Sequence, residues 1–109
     1  MSRQYEARLR DVLAAAKKCK EFKKHLRGPH DDMAYDAIVR NLEIIGEAAS
    51  KLPADLRATH PEIPWPKIVG MRNILIHQYF SADRELVEAV VEDELPQLVQ
   101  AVTQMLQES

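Results

Sequence analysis

The stretch Arg72-Asn73-Ile74-Leu75-Ile76-His77-Gln78-Tyr79 sets an arginine, an asparagine, a histidine and a tyrosine among apolar residues. Burying such groups is costly: a polar group without a partner loses roughly 2–7 kcal/mol, and an unpaired charge loses more. Two readings follow. In the first, Arg72 pairs with a carboxylate such as Glu43 or Glu47, while Asn73 and His77 are satisfied polar groups of the core. In the second, these side chains line a site and do chemistry there. Arginine brings a permanent charge and a fork that matches phosphate oxygens. Histidine exchanges a proton near neutral pH. Together they suit cleavage of a phosphodiester without a metal, provided the substrate brings its own nucleophile. RNA does so through its 2′-hydroxyl. His77 then handles the proton and Arg72 holds the charge growing on the phosphate. Asn73 orients the histidine or donates to a phosphate oxygen. DNA lacks the hydroxyl and would be spared.

The spacing constrains how these groups meet. On a helix, Asn73 and His77 are four apart and stack, and Arg72 and Tyr79 are seven apart and lie almost in line. Arg72 and His77 are five apart, so about 140° separates them. One straight helix cannot aim both at a single small target. Either the helix unwinds near His77, or a twofold axis brings together the same helix from two copies. Ile68, Val69, Met71, Ile74, Leu75 and Ile76 cover the whole circumference. Such a helix is the centre of a bundle or part of a subunit interface. The second option favours an isologous homodimer.

The elements that must position this helix are legible from apolar spacing. A first helix is predicted from about Arg3 to Leu26, with Tyr5, Leu9, Val12, Leu13, Ala16, Cys19, Phe22 and Leu26 on one face. Gly28-Pro29 should end it. A second helix should start near Asp31 or Asp32, either of which can cap it, and stop before Pro53. Its stripe is Ala34, Ile38, Leu42, Ile45, Ala49 and Leu52, and Arg40, Glu43, Glu47 and Lys51 form a charge ladder opposite. Asn41 points into the apolar arc, toward the polar cluster or toward a backbone group. Residues 53–64 read as a connector with one helical turn around Ala54-Asp55-Leu56-Arg57, packed onto the bundle by Trp65. The motif helix should run from about Pro66 to Tyr79. Ser81 should cap a helix from about Ala82 to Glu92, and Asp93 should cap a last one carrying Leu95, Leu98, Val99, Val102 and Leu106.

Bulk properties set the class. The 109 residues suit one domain, 1–109, and 46% hydrophobic with 29% charged residues suits a globular protein. The net charge of −2 excludes a global field for nucleic acid. The best basic surface is Lys17, Lys18, Lys20, Lys23 and Lys24, which also suits a solvated helix end. A DNA-recognition helix should show an exposed basic face, which the motif segment lacks. Cys19 is the single cysteine, so no internal disulfide forms; it reads as a small core filler. The start of the chain is polar and no apolar run approaches a membrane span, so the expected place is the cytoplasm. His25, His30 and His60 flank turns without a cysteine or acid at ligand spacing, and neither metal nor cofactor is expected.

Arg72-Asn73-x-x-x-His77-x-Tyr79 resembles the R-x4-H-x-Y motif of HepT-like toxins, a branch of the HEPN superfamily. The blocks Arg40-Asn41-Leu42-Glu43-Ile44-Ile45-Gly46-Glu47-Ala48, His60-Pro61-Glu62-Ile63-Pro64-Trp65 and Gly70-Met71-Arg72-Asn73 follow one another as in that family. The resemblance implies an all-α bundle of about five helices that dimerises through the motif helices. It also implies a metal-independent endoribonuclease, the toxin of a toxin–antitoxin pair. Its partner would be a minimal nucleotidyltransferase antitoxin that transfers AMP to the motif tyrosine, here Tyr79. Arg72 and His77 would carry catalysis, with Asn73 beside them. Apart from the resemblance, Asn41, Glu43 and Glu47 are candidate supporting polar groups, the two glutamates reading either as an acid pair or as rungs of the charge ladder. The alternative is a non-catalytic helical subunit that only holds a nucleotidyltransferase.

Overall fold

The structure is a computed structural model that describes residues 2–71, 73, 75 and 84–108. Among these residues the regular structure is helical and no strand occurs, as expected of an all-α fold. Helix α1 (Arg3–Lys23) is capped by Ser2, whose hydroxyl accepts the Tyr5 N–H at 3.2 Å. Its expected stripe is the buried one: Leu9, Val12, Ala16 and Cys19 are buried, joined by Ala15, while Tyr5, Leu13, Phe22 and Leu26 pack at the edge. The helix ends three residues before the expected Leu26. The left-handed residue of the turn is Arg27 (φ 63°), not Gly28. A side chain tolerates that conformation here because the Arg27 N–H is held by the Asp31 carboxylate at 2.6 Å and its guanidinium by Glu88.

Helix α2 (Asp31–Ser50) runs back antiparallel to α1 and packs along it. All six expected stripe positions are buried, Leu52 lying just past its end. The expected cap is a correction. His30 holds the cap position without a side-chain bond, because Asp31 is already inside the helix and its carboxylate is taken by arginines. The ladder forms as read, with Arg40–Glu43 at 3.5 Å and Glu47–Lys51 at 3.6 Å. Exposed pairs like these contribute little to stability.

The connector carries a short helix α3 (Ala54–Ala58), and Trp65 is buried with its indole N–H on the His60 carbonyl at 3.0 Å. His60, also buried, meets Glu62 through Nδ1 at 2.9 Å. The helix expected from about Pro66 to Tyr79 is interrupted at Gly70, and the part of it after Leu75 lies outside the described residues. Helix α4 (Trp65–Val69) stops at Gly70, whose N–H returns to the Pro66 carbonyl at 2.9 Å. A Cβ at Gly70 would stand 2.9 Å from that carbonyl oxygen, so only glycine fits without a shift. Met71, Asn73 and Leu75 are again helical. Residues 76–83, with the expected cap Ser81, lie outside the described residues.

Helix α5 (Arg84–Ala89) continues through a π-helical turn, Val90–Glu94, into α6 (Leu95–Gln107). The expected break with an Asp93 cap is therefore another correction. Pro96 cannot donate to the preceding turn and its ring crowds the carbonyl four residues back. The wider turn absorbs this, with the Leu95 N–H reaching the Val90 carbonyl, and the chain stays helical. Helix α6 packs on α1 and α4 packs on α2, and Lys67 of α4 pairs with Glu94 of the π turn. The centre of the core is Leu9, Val12, Cys19, Ile38, Leu42, Ile45, Ile68, Leu98, Val102 and Met105, all fully buried. Cys19 behaves as the expected filler: its Sγ sits 3.8 Å from the Ile38 carbonyl and burial pushes the thiol up to about 12.

Helix α5 is tied to the α1–α2 corner by two ion pairs. Arg84 donates twice to Asp31, at 2.7 and 2.8 Å, and lies over the Tyr35 ring at 4.6 Å. Arg27 pairs with Glu88 at 2.8 Å. The Arg84 hydrogen bonds, helped by the Arg27 N–H, pull the Asp31 carboxyl down to about 2. Because the folded value lies below the ordinary carboxylate value, the pair adds stability above that value and loses it as pH falls through about 2. Wild type should hold a higher urea midpoint than Asp31→Asn at neutral pH. The gap should close between about pH 4 and pH 2; a gap of constant width across that range would refute the assignment.

Candidate active site

The start of the motif segment is anchored from one side. Ile68, Met71 and Leu75 are spaced by three and four, are all buried, and belong to the common core. Asn73 lies opposite this row and is exposed. At Asn73 the chain is open to solvent within one copy. Arg72, His77 and Tyr79 lie outside the described residues.

Asn41 is buried at 6% exposure and its amide donates to the Ala37 carbonyl at 2.8 Å, the backbone option of the two expected. That carbonyl stands one helical turn back, so the bond locks the side chain along its own helix. Glu43 and Glu47 face a cleft of about 360 Å³ between α1 and α2, lined also by Arg8, Asp11, Arg40, Ile44 and Ala48. The Arg8 Nε is buried with no hydrogen-bond partner among the described residues. Arg8 and Asp11 escaped sequence reasoning. Their spacing of three puts them on one face of α1, but that spacing alone does not say which face turns toward α2.

Of the basic run, Lys23 pairs with Glu92 at 3.0 Å and Lys24 with Glu21 at 3.3 Å, while Lys17, Lys18 and Lys20 stand exposed. Two of the five charges are thus spent on structural contacts. Among the described residues, no three His, Cys, Asp or Glu side chains are grouped to hold a metal ion, and no helix is long and apolar enough to cross a membrane.

The model of the HepT-like ribonuclease family matches residues 3–105, nearly the whole chain and all of the motif. The chain belongs to the HepT-like ribonuclease family. It is 36% identical over 103 residues to the probable ribonuclease HepT of Thermococcus cleftensis, covering 90% of this chain and 92% of that protein. It is 38% identical over 103 residues to a candidate RNase of Methanocaldococcus jannaschii, covering 92% and 94%. A candidate RNase of Caldanaerobacter subterraneus is 42% identical over 77 residues, covering 71% and 69%. No solved structure matches. The HepT-like assignment agrees with the helical architecture and with the order of the three sequence blocks along it.

Proposed function

We propose that this HepT-like chain is a metal-independent endoribonuclease, acting as the toxin of a toxin–antitoxin pair in the cytoplasm. The observation that carries this reading is the family match over residues 3–105, which takes in Arg72, Asn73, His77 and Tyr79 in the family's motif order. In the proposed reaction the 2′-hydroxyl oxygen of one nucleotide attacks its own 3′-phosphorus, and the bond to the next 5′-oxygen breaks. His77 takes the hydroxyl proton while water protonates the departing 5′-oxygen, or water takes the hydroxyl proton while His77 protonates that oxygen; either way one proton is removed and one delivered. Arg72 neutralises the extra charge on the phosphoryl oxygens. The products are a 2′,3′-cyclic phosphate and a 5′-hydroxyl.

The site is proposed to form where two copies meet. The exposed Asn73, opposite the row that enters the core, supports this: at that position a second copy would have access to the chain. Tyr79 is the proposed acceptor of AMP from a small nucleotidyltransferase partner. Adenylylation there would add bulk and negative charge in register with Arg72.

Purified wild type should cut RNA and leave DNA intact, and should do so in excess chelator. Its products should end in 2′,3′-cyclic phosphate. Expression without the partner should arrest growth. Harmless expression together with intact RNA would leave the chain a binding subunit for its nucleotidyltransferase. Cleavage abolished by chelator alone would remove the metal-independent mechanism.

A further inference from the structure

The cleft between α1 and α2 is lined by charges of both signs, and they are not used equally. On the α2 side Arg40 meets Glu43 at 3.5 Å and Glu47 meets Lys51 at 3.6 Å, so the lining charges of that helix have partners on it. On the α1 side stand Arg8 and Asp11, three apart on one face. Among the described residues they make no ion pair, with each other or with anything else. The Arg8 Nε is also shut off from water without an acceptor. A shielded N–H in that state is costly, and in folded proteins such groups have a partner in protein, water or ligand. Beside the pair, half-buried Ile44 and buried Ala48 give the cleft an apolar wall.

The unused chemistry is thus one donor fork and one two-oxygen acceptor against an apolar surface. A phosphate suits it poorly, because three carboxylates line the cleft against two arginines and like charges repel. A flat neutral ligand suits it well if one edge carries an acceptor next to two parallel donors. Guanine is the RNA base with that edge. Its N1–H and N2–H donate side by side to both oxygens of a carboxylate, and its O6 accepts from an arginine. Adenine and cytosine set a ring acceptor beside their amino group, and uracil offers one N–H between two carbonyls. The cleft volume of about 360 Å³ falls within the range of small-ligand sites, about 300–1,000 Å³.

We propose that this cleft binds a guanine base, with Asp11 accepting from N1–H and N2–H, Arg8 donating to O6, and Ile44 and Ala48 against a ring face. The base comes from free guanosine or from a strand of RNA, since the recognised edge is the same in both. Binding does not depend on the motif being catalytic.

The test follows the backbone amides of the full chain by nuclear magnetic resonance. One arm titrates guanosine, inosine, adenosine and uridine to millimolar concentration. The other titrates short oligoribonucleotides that differ only in a central guanine, hypoxanthine or adenine, with every 2′-hydroxyl methylated so that no strand can be cut. The guanine ligand of at least one arm should shift the amides around Arg8, Asp11 and Ile44, and should bind about tenfold or more tightly than its adenine counterpart. The hypoxanthine ligand, which lacks the N2 amino group, should bind about tenfold more weakly than guanine. Asp11→Asn and Arg8→Gln should each weaken guanine binding about tenfold. Asp11 is exposed and unpaired among the described residues, so Asp11→Asn keeps the fold and decides the matter if Arg8→Gln does not fold. Guanosine binding as well as the guanine oligomer assigns the site to the free nucleoside, and a preference seen only in the oligomer assigns it to RNA. No shift at these amides with either guanine ligand, equal affinity for guanine and adenine, or guanine binding by Asp11→Asn at the wild-type level overturns the site. A wild type that leaves unmodified RNA intact removes the ribonuclease reading and does not touch this result.

Discussion

Replacing His77 with alanine is expected to slow RNA cleavage by about 10²–10⁴-fold while leaving the helical circular dichroism unchanged. A general acid or base supplies a proton path that water replaces poorly, and the loss should fall on kcat rather than on KM. Arg72→Ala is expected to cost about 10²–10³-fold, since a guanidinium aimed at the phosphoryl oxygens stabilises charge that grows only in the transition state. The double variant should be little worse than His77→Ala alone, because the two groups act on one step. The pH–rate profile of the wild type should also show an ionisation that is absent from His77→Ala. Cleavage at wild-type rates in both single variants would remove the pair from the mechanism, whatever the family to which the chain belongs.

Much of the supporting frame could be read from residue spacing. The stripe Ala34, Ile38, Leu42, Ile45, Ala49 and Leu52 was unambiguous because apolar side chains at intervals of three and four admit one solution, and all six are buried. The same holds for Leu9, Val12, Ala16 and Cys19 on α1. What spacing could not show was geometry that depends on distant partners. Asp31 looked like a cap by residue type, yet its carboxylate went to Arg84, 53 positions away, where a fork met both oxygens. Gly70 sat in an apolar run with no sign of a break, and the 2.9 Å approach of the Pro66 carbonyl to the space a Cβ would fill exists only in the folded backbone. Pro96 was correctly placed in a first turn, but the π turn that accommodates it without ending the helix has no sequence signature.

The candidate site was legible in a different way. Its residue types stood out because Arg72, Asn73, His77 and Tyr79 are misfits in an apolar run. The family match covers all four positions. The surrounding cleft was half legible. Glu43 and Glu47 were visible as ladder members, whereas Arg8 and Asp11 join them only because α1 lies alongside α2 at that angle. Pairing across two helices is set by packing, and no spacing within either helix records it.

Ile68→Ala is expected to produce the largest loss of stability on the path to the motif, about 2–5 kcal/mol. Ile68 is fully buried and belongs to α4, a helix of five residues that has little stability of its own. Such a helix exists through what it packs against, and Ile68 is its deepest contact with the core shared by α2. Truncation removes buried methyl groups and leaves a cavity that the flanking prolines and the close Gly70 turn hinder from collapsing. A domain of this size has about 5–15 kcal/mol in total, so the melting temperature should fall by about 10 °C or more. Ile68→Val, which removes one methyl, should cost about 0.5–1.5 kcal/mol. The loss should also reach the chemistry before the protein melts. Ile68 starts the row that continues through Met71 and Leu75, so loosening it frees the entry to the motif segment. Cleavage by Ile68→Ala should therefore fall at temperatures where α1 and α2 still show native exchange protection. If the melting temperature of Ile68→Ala matches that of wild type, α4 is not held by this side chain, and the anchoring of the motif from the core side is wrong.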